Sequence, residues 1–201
     1  MMANTNVNAG ASTKKLVGMA IFTAIIVVLQ LLGSFIKIGP FAISLVLIPI
    51  VVGAAVYGAK SGAYFGLVFG VIVLINCITG ADPGGNILWT ANPLYTALVC
   101  LVKGGAAGLA AGAVFQVFSK KNTYLAVILA AMVCPIVNTG IFCGGMMFLF
   151  HDILVEWAGG TSVVYYMFFG LAGVNFLLEF VINIVLSPIV VRILHARLIR
   201  E

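Results

Sequence analysis

The chain has 201 residues, 63% of them hydrophobic and 7% charged, with ten Lys and Arg against five Asp and Glu for a net charge of +5. So apolar a composition leaves no segment able to fold as a separate soluble domain, and the basic excess, spread over short connections between apolar runs, reads as membrane topology rather than a nucleic-acid surface. Four cysteines, Cys77, Cys100, Cys134 and Cys143, lie in or at the ends of apolar runs without CxxC spacing or clustered His, which argues against a disulfide framework or a zinc site and for small buried hydrophobes.

In chain order, residues 1–13 are polar and Asn-rich, and they predict a disordered N-terminus. The apolar runs that follow are of membrane-spanning length, about 20 residues. They form six helices, roughly 16–34, 41–58, 61–79, 93–118, 123–149 and 166–191, if Lys103 and Glu179 are taken as charges inside spans. The first run follows Lys14-Lys15 as a signal peptide would, but it is too long for an h-region and five more spans follow, so it reads as a retained helix. Between the second and third spans, GAAVYGAKS (Gly53 to Ser61) imitates the GxxxxGK[ST] phosphate loop. It carries an extra Ala59 and no strand precedes it, so nucleotide binding is not expected there. Gly62, Gly66 and Gly70 of the third span, and Gly104, Gly108 and Gly112 of the fourth, each form one glycine face, which in lipid lets helix backbones pack closely.

The connection Gly80 to Asn92 (GADPGGNILWTAN) sets Asp82, Asn86, Trp89 and Asn92 among turn-forming residues. It reads as a loop that could act as a lid, with Trp89 stacking on a planar ligand. Trp157, Tyr165 and Tyr166 near the last outer loop fit either that role or an interfacial aromatic belt.

Inside the spans the polar groups are concentrated in the second half of the chain. Lys103 lies about 15 Å into the fourth helix, close to mid-bilayer. Asn138 follows the kink expected at Pro135 in the fifth, and Asn175, Glu179 and Asn183 share one face of the sixth at i, i+4, i+8. A mid-membrane charge costs at least a few kcal/mol by insertion scales, so these groups face the protein interior. Two readings stay open: Lys103 and Glu179 pair only to lock the fourth and sixth helices, or at least one of them meets a substrate.

Orientation follows from the loops. With the N-terminus inside, Lys14, Lys15, Lys60, Lys120, Lys121, Arg192, Arg197 and Arg200 fall on inner segments and only Lys37 on an outer one. The reading is an all-α polytopic membrane protein with six transmembrane helices and both termini cytoplasmic.

Ala20-Ile-Phe-Thr-Ala24 in the first helix, the stretch Ile38 to Gly70, LVKGGAAGLAAG (Leu101 to Gly112) and CPIVNTGIF (Cys134 to Phe142) resemble a known group over nearly the whole chain. That group is the substrate-binding S components of energy-coupling factor (ECF) vitamin transporters, in the branch that handles riboflavin, pantothenate and folate. The resemblance implies residues 14–201 as a substrate-binding transmembrane domain in the bacterial plasma membrane, with Ala20 and Ala24 packing against a transmembrane T component. It also implies two ATP-binding partner subunits, since no ATPase motif occurs here, and a vitamin enclosed by the last three helices and the outer loops. The substrate-binding candidates are Trp89, Asn92, Lys103, Asn138, Asn175 and Glu179. No catalytic residue, metal or cofactor is expected. The alternative is a stand-alone secondary transporter or channel for a small polar solute, which would use the same intramembrane charges. An enzyme is disfavoured because His151 and His195 lie outside the spans and Glu179 is the one acid within them.

Overall fold

A computed structural model describes residues 4–34, 37–38, 41–42, 46–171 and 173–198. Residues 1–3 of the N-terminal stretch, 43–45 of the expected second span and Arg200 lie outside the described residues. Helix α1 (Asn4–Gly33) takes in most of the polar N-terminal segment as well as the first apolar run. A two-residue hairpin follows, β1 (Lys37–Ile38) antiparallel to β2 (Phe41–Ala42), with Ile38 opposite Phe41. The remaining helices are α2 (Leu47–Tyr57), α3 (Ala59–Thr79), α4 (Pro83–Ala91), α5 (Pro93–Phe118), α6 (Thr123–Leu149) and α7 (His151–Ala158). One turn, α8 (Val163–Tyr165), then runs into a π-helical stretch, Tyr166–Leu171, before α9 (Gly173–Leu198).

Five helical segments are long and apolar enough to cross a membrane: Thr13–Gly33, Ala59–Thr79, Pro93–Phe118, Thr123–Leu149 and Asn175–Arg192. Leu47–Tyr57 is a shorter apolar helix, so the second expected span begins at Leu47 rather than near residue 41, with β2 occupying the earlier positions. The largest departure is the connection after α3. The segment read as a turn-rich loop is the helix α4, because Asp82 is its N-cap and Pro83 its first residue. Proline lacks the N–H that a first-turn residue leaves unpaired and has its φ preset for helix, while a short acid accepts from the free N–H groups. Two further helices start on the same device: Asn92 accepts from the Tyr95 N–H at 3.0 Å, with Pro93 at the first position of α5, and Asn122 accepts from Leu125 N–H at 3.1 Å. Between α2 and α3 the chain reverses on Gly58 at φ 94°, a conformation glycine adopts without strain.

The two glycine faces meet each other. A methyl group at Gly66 would collide with the Gly104 carbonyl, one at Gly108 with the Gly62 carbonyl, and one at Gly70 with the Cys100 carbonyl. The helices α3 and α5 therefore run antiparallel in backbone contact, the most extensive helix packing among the described residues. Around them lies a core in which Ile26, Val46, Leu47, Ile50, Phe65, Phe69, Ala107, Ala130 and Cys134 are buried together. Leu88, Val99, Met146, Phe150, Leu154, Met167 and Leu171 form a second cluster.

These contacts also sort the charges. Gly18 abuts Tyr57, Gly112 abuts Ala59, and Val127 packs with Val190 and Val191, so Lys14, Lys15, Lys60, Lys120, Lys121 and Arg192 all come to one end of the bundle. Asp82, Asp152 and Glu156 lie at the other, where α3 ends and α6 gives way to α7.

Candidate functional site

At the acidic end, α4 lies across the gap between α3, α5 and α6 and covers a cavity of about 20 Å³. Its wall includes Cys77 from α3, Asp82, Gly85 and Leu88 at and within α4, Thr96, Cys100 and Lys103 from α5, and Phe142, Met146 and Phe150 on the α6 side. A volume of that size holds about one water.

Lys103 is brought here by the glycine face. It sits one residue before Gly104, where α5 is pressed against Gly66, and its side chain leans towards the helix N-terminus and hence towards the roof. The ammonium lies over two aromatic faces, 6.0 Å from the centre of the Phe69 ring and 5.2 Å from that of Phe142. Ring quadrupoles attract a cation without neutralising it, and the Asp82 carboxylate lines the same cavity. Asp82 is buried beside the cavity, with Oδ1 accepting from the Gly85 N–H at 3.5 Å, and the Asp82 N–H donates to the Asn76 carbonyl at 3.1 Å. Thr96 is buried and donates its hydroxyl to the Asn92 carbonyl at 3.0 Å.

The sequence-derived candidates divide among three places. Lys103 lines the cavity. Trp89 is half-buried on α4 and packs against the main core rather than lining the cavity, whose aromatic wall comes instead from Phe142 and Phe150. The Asn92 side chain is engaged as the α5 N-cap. Asn138, Asn175 and Glu179 belong to the packed pair α6 and α9, where Asn138 and Glu179 are 5% and 6% exposed. On the same α9 face, Asn183 Nδ2 donates to the Glu179 backbone carbonyl at 2.7 Å, and Ser187 donates to the Asn183 carbonyl at 2.8 Å.

Asp82, a loop acid by its sequence surroundings, is the α4 N-cap, and the legible signal is the Asp82-Pro83 pair, a helix start. Polar burial in the first half of the chain carries no such signal: Asn76 Nδ2 donates to Ser34 Oγ at 2.7 Å, and Gln30 is 3% exposed. Ala20 and Ala24 lie on an exposed face of α1 with Val17, Ile21, Ile25 and Val28. That helix buries 17% of its most apolar window against 50% for α3.

Two comparisons bear on this arrangement. Residues 14–191 match the family described as "ECF transporter, substrate-specific component". The chain is also 25% identical over 184 residues to the pantothenic acid transporter PanT of Lactococcus lactis subsp. cremoris (strain MG1363), a similarity that covers 86% of this chain and 89% of that protein.

Proposed function

Because the chain belongs to the family of ECF transporter substrate-specific components, we propose that it is the subunit that captures a water-soluble vitamin of the riboflavin, pantothenate or folate class from outside the cell. It hands the vitamin to a transmembrane T component energised by two ATP-binding subunits. Family membership makes it a multi-pass protein of the bacterial plasma membrane, engaged in transport. Six spans with both termini in the cytoplasm are the topology we assign, supported by the gathering of basic residues at one end of the bundle.

The observation that carries the reading is the Lys103 ammonium in the wall of a cavity roofed by α4. A cation at that depth is costly, and such groups pair with another charge or mark the path of a solute. A carboxylate is its natural partner, which favours pantothenate or folate over the uncharged flavin ring, and the relative named above is a pantothenic acid transporter. In this scheme α4 lifts to admit the vitamin, and closure restores the water-excluded surroundings in which a single charged contact is strong.

Isothermal titration of the purified protein with pantothenate, folate and riboflavin tests it. The wild type should bind one of the two carboxylates, and Lys103→Met should bind it at least tenfold more weakly, the loss that follows when one member of a buried charge contact is removed. Equal affinity in the variant removes Lys103 from the site.

A further inference from the structure

The cavity beneath α4 holds charges of both signs. Among the described residues that line it, Lys103 brings an amine and Asp82 a carboxyl, and the others are apolar side chains, two thiols, the Thr96 hydroxyl and Gly85. The two charges belong to one electrostatic group. Each lies within reach of Cys77 and of Cys100, thiols that are hydrogen-bonded to one another from α3 to α5. Asp82 is 8% exposed. It comes this close to the thiols because Gly85 has no side chain: a Cβ there would press on Cys77 Sγ and stand 3.3 Å from Asp82 Oδ2.

An ammonium and a carboxylate sum to zero, so the empty cavity is electrically balanced. A second carboxylate arriving from a ligand sets two anions on one cation. In a water-poor interior each anion loses solvent and the two repel, so both do not stay. Balance returns when Asp82 gives up its place. That residue is the N-cap of α4, and Pro83 follows it as the first residue of the helix. Its carboxylate therefore cannot leave without shifting the first turn of the roof.

We infer that Asp82 is a built-in competitor for Lys103. In the empty protein its carboxylate, attracted across the cavity, holds α4 down, and the carboxylate of the incoming vitamin displaces it and frees the roof. This rests on the vitamin-capture reading above and supplies its trigger. The exchange is anion for anion, so Asp82 also sets specificity: an uncharged solute offers Lys103 nothing that offsets its separation from Asp82.

Two experiments test this on different variants. The first needs no vitamin and follows amide hydrogen exchange in the empty protein. Lys103→Met alters α5 alone, yet the amides of Asn86 to Ala91 in α4 should exchange about fivefold faster than in the wild type, because the roof has lost its hold. Unchanged exchange there contradicts the latch. The second measures pantothenate binding to Asp82→Asn, which keeps a competent helix cap and loses the charge. With the competitor gone, pantothenate should associate faster and bind about fivefold more tightly, and Asp82→Glu, which returns the carboxylate, should bind as the wild type does. Equal or weaker binding by Asp82→Asn makes Asp82 a cap and nothing more. A wild type that binds no pantothenate overturns the vitamin reading, and the exchange rates of the empty protein then decide the latch by themselves.

Discussion

Lys103 and Asp82 show how one side chain acquires different meanings from its surroundings. Lys103 was legible as a mid-membrane cation because no other basic residue lies inside an apolar run. Its neighbours were not, since Phe69 and Phe142 come from helices distant in sequence and only packing brings them under the ammonium. The pairing of Lys103 with Glu179 makes an opposed prediction. If the two charges serve only each other, each single neutralisation destabilises the protein, and Lys103→Met with Glu179→Gln recovers both stability and vitamin affinity. If Lys103 holds a ligand anion, the double variant stays as weak a binder as Lys103→Met, and titration of the three variants decides. Asp82 belongs to the roof. Asp82→Ala removes the α4 N-cap and should destabilise that helix by about 1 kcal/mol, which stopped-flow release should register as faster vitamin escape. An unchanged release rate would detach α4 from gating.

At the scale of elements, the α3–α5 pair was the part most open to reading, because small residues at every fourth position have one physical use in lipid. What the spacing left open was whether the two faces met each other or other chains, and the carbonyl contacts across the pair settle that they meet. The roof was the least legible element. Gly84, Gly85 and Pro83 carry turn signals, and those signals lost to the Asp82 cap, so that Trp89, expected on a loop, turns towards the core on α4. Because backbone cannot yield as a side chain can, Gly66→Leu should destabilise the protein by about 3 kcal/mol or more. Thermal unfolding in detergent measures this, and a melting point within a degree of wild type would mean that the pair can separate. The exposed face of α1 carries the opposite expectation. Ala20→Trp and Ala24→Trp should leave vitamin affinity unchanged and abolish uptake by the assembled transporter, since a bulky side chain holds a partner helix off. Normal uptake in both variants would rule that face out as the docking surface.

Across the whole molecule, the division of labour is spatial. The basic residues of the connections collect at one end and α4 with its cavity at the other, while α1 stands largely uncovered along the side. That layout suits a subunit that takes a solute at one face, sits in lipid and is moved by partners. The class of the chain was written in its composition. The identity of the solute was not, because it depends on which few polar atoms converge in three dimensions. The most direct test is uptake of radiolabelled pantothenate into proteoliposomes that hold this chain alone, compared with liposomes that also hold a T component and two ATPase subunits with ATP. The account predicts binding without accumulation in the first and ATP-dependent accumulation in the second. Accumulation by the chain alone, driven by an ion gradient and indifferent to ATP, would contradict it.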